Sequence, residues 1–260
     1  MAIGISSGCF YPHTTEEALH LVGACGADCT ELFVNSPHEL EKTYIEKFRE
    51  IQKMYGYRVR SFHTYASFTE SYYYFSSYTR RFTESIEDFK QYFDAMHALG
   101  AEVLVMHGAK IPGSIPDEAV FERFGILSRL AKAEGILLCQ ENVAKYRSQS
   151  PDYLLRMREY LGEDFHMVFD IKQARKAQIE PQIFLDALLP SIVHIHISDY
   201  TKDAPCALPF CQGSLFDFPP FFKELQSRGY QHDYMLEVYD YCYKEPQEIK
   251  KAYRSLQKCL

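Results

Sequence analysis

The chain has 260 residues, of which 47% are hydrophobic, so it can bury a large core within a single domain of residues 1–260. Its formal net charge of -7 excludes a general affinity for nucleic acid or anionic membrane, because both depend on clustered lysine and arginine. No uninterrupted apolar run reaches the ~20 residues of a membrane span.

Short apolar segments alternate with longer amphipathic segments along the whole chain. The predicted strands cover 3–7, 29–34, 59–63, 103–107, 136–141, 166–170, 192–198 and 234–239. The predicted helices cover 14–25, 38–55, 78–99, 117–134, 151–161, 172–189, 217–228 and 245–258. Eight strand and helix units in strict alternation predict an α/β fold, a closed (β/α)8 TIM barrel.

An open, doubly wound sheet is the alternative α/β architecture. Such a sheet usually carries a glycine-rich phosphate turn after its first strand, and here that turn reads SSGCFYPH. The motif G-x-G-x-x-G is absent from it, so a nucleotide-binding fold loses support.

The cysteines indicate a reduced environment. The eight thiols form no C-x-x-C pair, and the N-terminal residues do not resemble an export signal, so we expect a cytoplasmic location. Cys25 with Cys29 and Cys206 with Cys211 could join a zinc site, but neither pair has the usual spacing.

Polar side chains lie at or near the C-terminal ends of seven of the eight predicted strands. They are Glu31, His63, His107, Glu141, Asp170, His196 and Glu237. The carboxyl ends of barrel strands meet at one rim, where active sites gather, so we expect these groups to share one cavity. We expect His194, deeper in the barrel, to be a hydrogen-bonded core residue.

Four of these side chains lie near the ends of four successive strands: Glu141, Asp170, His196 and Glu237. A buried carboxylate or imidazole is costly unless it meets a partner or a metal. The sequence therefore predicts one shared divalent ion, and the oxygen and imidazole donors suit Mn, Mg, Co or Zn.

Five short motifs occur in an order that resembles a known family. They are E-N-V (141–143), F-D (169–170), H-I-H-I-S-D (194–199), G-S-L-F-D-F (213–218) and L-Q-S-R-G-Y-x-x-x-Y-M-L-E (225–237). Together they resemble the xylose-isomerase-like TIM barrels, which include sugar and sugar-phosphate isomerases and epimerases and the zinc-dependent apurinic endonucleases. The resemblance covers nearly the whole chain. In the ketose 3-epimerase branch, the positions matching the four residues above bind a divalent metal.

The resemblance implies a metal-dependent isomerase or epimerase of a sugar or sugar derivative. A metal chelated by the substrate carbonyl and a neighbouring hydroxyl would stabilise the enediolate that forms when a proton leaves. We expect Glu141 and Glu237 to remove and return that proton. A sugar-acid or inosose-type dehydratase, an endonuclease-like hydrolase and a non-catalytic sugar-binding barrel are the alternatives.

The sequence departs from the family pattern after the sixth strand. Many relatives have a histidine three residues after Asp170, where this chain has Gln173, and a three-zinc nuclease therefore loses support. We expect Gln173 to contact substrate. His63 and His107 match ligands of the endonucleases' first zinc, so a second ion bridged by Glu141 is an alternative, but we favour contact with substrate.

Two further departures add positive charge to the rim. Arg147 and Lys202 stand where free-ketohexose epimerases carry a glutamate and an arginine that touch sugar hydroxyls. With Lys110 and Lys172, they predict a substrate that bears a phosphate or carboxylate. The alternative is that these loop cations are only solvated.

The segment from Tyr65 to Tyr78 is rich in aromatic and hydroxyl side chains and follows the third strand. It could close over the site as a lid or pack against a second subunit. A homo-oligomer is expected only by analogy with the family.

Overall fold

The computed structural model describes residues 1–64 and 67–260. Eight parallel strands pair in chain order, and β8 pairs with β1, which closes the sheet into the predicted barrel. The strands are β1 (Ile3–Ser6), β2 (Cys29–Phe33), β3 (Arg58–His63), β4 (Val103–Met106), β5 (Leu137–Glu141), β6 (His166–Asp170), β7 (Ile192–Ile197) and β8 (Tyr234–Leu236).

Helices follow the strands and flank the barrel. They are α1 (Thr15–Cys25), α2 (Lys42–Tyr55), α3 (Ser67–Tyr73), α4 (Thr79–Leu99), α5 (Asp117–Ala133), α6 (Pro151–Leu161), α7 (Ile171–Lys176), α8 (Pro181–Leu188), α9 (Phe218–Ser227) and α10 (Pro246–Gln257). A capping box begins α1, where the Thr14 hydroxyl accepts the Glu17 N–H and the Glu17 carboxylate accepts the Thr14 N–H.

Alternation along the strands separates two apolar layers. On β4, Val103 and Val105 belong to a small cluster with Cys139 and Val168, whereas Leu104 and Met106 belong to the large core. Glu141 and Asp170 lie two residues beyond Cys139 and Val168 and therefore share their inward-facing side of the barrel. The strand pattern thus directs polar ends into the barrel mouth.

Three predicted segments differ from the observed helices. The predicted helix 172–189 is two helices, because Gln178 has a positive φ of 60° and Pro181 begins α8. The predicted helix 38–55 begins instead with a short 3-10 turn, Pro37–Leu40, followed by α2. The aromatic segment contains the additional helix α3, and its residues 65–66 lie outside the described part of the chain.

All eight cysteines are free thiols, and the clusters of metal-binding side chains within residues 1–64 and 67–260 contain none of them. Within the same ranges, no helix has both the length and the apolar composition needed to cross a membrane.

Candidate metal centre and active site

Four predicted ligands meet at the mouth of the barrel. Glu141 and Asp170 end β5 and β6, His196 lies near the end of β7, and Glu237 directly follows β8. Each offers one donor atom within 4.8 Å of the donor atoms of the others. All four residues are buried, so the strand ends hold three carboxyl groups and one imidazole together away from water.

The imidazole of His196 is oriented by a carboxylate beneath it. His196 Nε2 lies 3.1 Å from Glu31 Oε2, so an N–H at this nitrogen donates to the carboxylate. The other nitrogen, Nδ1, lies 2.7 Å from Glu237 Oε2 and 3.4 Å from Glu141 Oε1. Nδ1 faces the mouth among carboxylates that outweigh burial and hold the pKa of His196 well above its usual value. An ion that binds Nδ1 would replace the proton there, with Glu31 as the supporting carboxylate behind the ring.

Glu31 is completely buried and well supplied with donors. Its carboxylate accepts from the Ser61 hydroxyl at 2.8 Å and the Ser6 hydroxyl at 3.3 Å, and His194 Nε2 lies 3.3 Å away. Burial alone would raise the pKa of Glu31, but His196 and His194 outweigh it and hold the pKa well below its usual range.

The role of Glu31 in orienting His196 did not follow from the sequence. The available signal was an acidic residue on the buried strand β2, which placed Glu31 at the mouth without a partner. Burial lowers the pKa of His194, which lies 3.3 Å from the Ser61 hydroxyl. His194 is thus a neutral member of this inner hydrogen-bonded group.

A second group of donors lies beside the first. His107 Nε2 lies 2.9 Å from Glu141 Oε2 and 3.0 Å from His63 Nε2, and the three residues form a further cluster of metal-binding side chains. His63 Nδ1 donates to the Thr64 carbonyl at 2.9 Å, and its ring stacks on Phe33. The structure therefore brings His63 and His107 to the mouth, where they can bind either substrate or a second ion.

The charge of His63 reflects its neighbours. Burial alone lowers the pKa of His63, but the Glu141 carboxylate, 3.5 Å from Nε2, and the other nearby carboxylates outweigh burial and raise the pKa to about 9. In the absence of an ion, His63 is thus a cationic donor beside the carboxyl cluster.

The donor set fits a divalent cation. His196 Nδ1 and Glu141 Oε2 are buried atoms without a hydrogen-bond partner among residues 1–64 and 67–260, although charged atoms lie close to both. Buried polar atoms without partners are costly, and an ion ligated by Glu141, Asp170, His196 and Glu237 would satisfy them. Oxygen and imidazole donors suit Mg, Mn, Co or Zn alike.

Lys172, which we expected among the rim cations that would meet an anionic substrate, lies instead inside the mouth. Its side chain is only 2% exposed, and Nζ contacts Asp170 Oδ2 and lies 2.5 Å from Glu237 Oε2. Burial alone lowers the pKa of Lys172, but these two carboxylates outweigh it and hold the pKa well above its usual value. A buried ammonium group is therefore part of the cluster.

The start of α7 explains this placement. Asp170 is the N-cap residue, and its Oδ1 accepts the Gln173 N–H at 2.9 Å. The helix begins directly at the strand end, so its first turn holds Lys172 inside the mouth. The Gln173 side chain accepts the Ala144 N–H at 3.2 Å, which connects the loops after β5 and β6.

The structure does not bring the two predicted rim cations into the ligand cluster. Arg147 lies 2.7 Å from Asp117 Oδ1 and donates to the Ile115 carbonyl at 2.5 Å, so its charge is paired near the start of α5. Lys202 is exposed at a surface depression that Arg175 and Lys176 also line. Contacts of Arg147, Lys202 and Gln173 with substrate remain predictions.

Comparison with known proteins gives a consistent fold family. Residues 19–259 match the family described as "Xylose isomerase-like TIM barrel". A solved D-tagatose 3-epimerase-like protein superposes with a TM-score of 0.78 at 20% identity, covering 100% of this chain and 97% of that chain. The solved 3-keto-D-glucoside 4-epimerase from E. coli superposes with a TM-score of 0.77 at 17% identity, covering 100% of both chains.

A curated relative belongs to another reaction class. The inosose dehydratase of Yersinia enterocolitica is 23% identical over 183 residues, which are 56% of this chain and 61% of the relative. The matched part thus spans about three fifths of that protein. Epimerases and dehydratases are both represented among the proteins that this chain is similar to.

Proposed function

The chain belongs to the xylose isomerase-like TIM barrel family, and from this premise we propose that it is a divalent-metal-dependent isomerase or epimerase of a sugar or sugar derivative. The observation that supports this proposal most directly is the meeting of Glu141, Asp170, His196 and Glu237 within 4.8 Å at the barrel mouth. Removal of a proton beside a carbonyl needs a base, a returning acid and stabilisation of negative charge, and this donor set can supply all three.

Glu141 and Glu237 are the proposed proton carriers. They come from β5 and β8, which are not neighbours in the barrel, so they can approach a bound sugar carbon from different sides. A bound divalent ion would polarise the substrate carbonyl and stabilise the charge that develops as the proton leaves. His63 and His107 can donate hydrogen bonds to substrate oxygens beside Glu141, and Glu31 keeps His196 in the required orientation.

A dehydratase is the second candidate, and the similarity to inosose dehydratase favours it. The first step would be the same removal of a proton beside a carbonyl. A hydroxyl on the next carbon would then leave as water, whereas an epimerase or isomerase returns the proton to carbon. The two reactions therefore share a base and differ in the fate of the deprotonated substrate.

Proton exchange with solvent separates these candidates. The metal-loaded protein is incubated in D2O with ketohexoses, their phosphates, sugar acids and inososes, and products are followed by NMR and mass spectrometry. An isomerase or epimerase incorporates deuterium at the carbon next to the carbonyl and retains all oxygens. Dehydration instead gives a product lighter by one water. Neither exchange nor dehydration over the whole panel would contradict both reactions for these substrates.

The proposed substrate is phosphorylated or acidic. Lys202 and Lys176 support this because they line one depression, where an anionic group could bind. Arg175 lines it as well, but its guanidinium group lies 2.6 Å from Glu180 Oε1 and is paired there. We expect Lys202→Met to raise KM for a sugar phosphate while leaving KM for the free sugar unchanged, and Lys223→Met, at an exposed position in α9, to change neither. A free sugar turned over faster than its phosphate or acid analogue would contradict the anionic substrate.

A further inference from the structure

Lys172 uses the same oxygens that face the proposed ion. His196 Nδ1 lies 2.7 Å from Glu237 Oε2 and 3.5 Å from Asp170 Oδ2. Lys172 Nζ contacts these same two oxygen atoms. The ammonium group and a divalent ion therefore require the same part of the mouth, and both cannot bind these oxygens in the same way at once.

Burial of the Lys172 ammonium group carries an unfavourable free energy of desolvation. Moving a charged group out of water is strongly unfavourable unless partners compensate it. Here the compensation comes from Asp170 and Glu237, and the ring of Tyr239 lies 5.6 Å from Nζ. In return, two carboxylates that would repel each other without an ion receive a positive partner.

We propose that Lys172 is the resident counter-ion of Asp170 and Glu237, and that a divalent metal must displace its ammonium group to bind there. This inference rests on the metal site of the proposed function and adds that Lys172 and the ion compete for the oxygens of Asp170 and Glu237. A site that is occupied by an internal group for most of the time binds its ligand more weakly, in proportion to the free fraction. Lys172 thereby lowers metal affinity and stabilises the metal-free protein.

The first test is metal binding without substrate. Mn²⁺ affinity is measured by isothermal titration for the wild type, Lys172→Met and Lys176→Met. Lys176 is the matched control because it lies one turn later on α7 and its Nζ donates to the Tyr239 hydroxyl at 2.6 Å, so its removal changes the nearby charge without freeing the carboxylates.

We expect Lys172→Met to tighten Mn²⁺ binding by about tenfold or more, and Lys176→Met by less than about threefold. We also expect the metal-free Lys172→Met protein to melt at a lower temperature than the wild type, with a larger rise in Tm when Mn²⁺ is added. Equal affinity changes in both variants would show only a general effect of charge and would overturn the displacement. Unchanged or weaker binding in Lys172→Met would overturn it as well.

A second test needs no substitution and covers the case in which Lys172→Met does not fold. In wild-type protein labelled with ¹⁵N-lysine, we expect one ammonium signal protected from solvent exchange in the metal-free state, which shifts or disappears when Zn²⁺ binds. A signal that stays unchanged while Zn²⁺ binds would overturn the proposal. If no divalent ion binds to any of these proteins, the metal-dependent function and this inference are both wrong. If an ion binds with the same affinity in the wild type and in Lys172→Met, only this inference is wrong.

Discussion

Two buried polar groups lie one below the other in the barrel and differ in charge balance. The mouth cluster contains Glu141, Asp170, His196, Glu237 and Lys172, and the inner group contains Glu31, Ser61 and His194. The mouth cluster has three carboxyl groups against one ammonium and one imidazole. The inner group has a single carboxylate that contacts hydroxyl and imidazole donors. A surplus of buried acid indicates where a cation binds, whereas a satisfied carboxylate indicates a group that orients its neighbours.

Removing both proposed proton carriers should abolish metal binding. We expect one ion per chain in the wild type and none in the Glu141→Gln, Glu237→Gln double variant, because two of the three acidic ligands become neutral amides. Elemental analysis after dialysis measures this, and chelation of the wild type should remove activity that added metal restores. Two or three zinc ions per chain would favour the nuclease, and no ion even after reconstitution would favour a binding protein.

The single variant Glu237→Gln should lower turnover by about 10²- to 10⁴-fold at saturating metal, since an amide can neither accept nor return the proton. Steady-state kinetics on the substrate found in D2O measures this effect. Asp240→Asn, an exposed acid three residues later, is the control and should leave turnover unchanged. Normal turnover by Glu237→Gln with metal still bound would show that another group transfers the proton.

We expect changes in the inner group to reduce metal affinity less than the loss of a ligand does, because the inner group acts by orienting His196. We expect Glu31→Gln to weaken Mn²⁺ binding by about 10- to 100-fold, because an amide supports His196 less well than a carboxylate. Titration of metal into the variant and into the exposed control Glu50→Gln measures the difference. Wild-type affinity in Glu31→Gln would mean that the mouth cluster orients His196 by itself.

The smallest effect is expected at Ser61, which donates one hydrogen bond to Glu31. Ser61→Ala should lower the free energy of unfolding by about 1 kcal/mol, since Glu31 retains other donors. Urea denaturation measures this change, and Mn²⁺ affinity should stay within about twofold of the wild type. A larger loss of affinity than of stability would place Ser61 among the groups that hold the metal site.

The barrel was predictable because its signal repeats eight times. Each strand is a short apolar segment, and each acidic or histidine end could be placed at one rim by chain order alone. The single helix predicted over 172–189 overlooked Pro181, which the sequence shows and which begins α8, because the apolar spacing continues through it. The left-handed backbone of Gln178 carried no sequence signal of its own.

The direction of the side chains was the main feature of the site that the sequence could not predict. The sequence places Lys172 two residues after a strand end, which suits a solvated loop as well as a buried helix turn. Only the capping of α7 by Asp170 turns it inward. Arg147 likewise has the right sequence position for the rim, but Asp117, thirty residues earlier, pairs with its charge.

Helix α3 is anchored to the mouth on its inner side. The buried Glu70 carboxylate accepts the Gly108 N–H at 2.8 Å and the Thr64 hydroxyl, which follow β4 and β3. Tyr72, two residues after Glu70, lies on the opposite face of the helix and is 50% exposed. Substitutions at Tyr72 therefore leave the anchor of α3 intact, so this outer face can vary in sequence while the backbone beside His63 and His107 keeps its position.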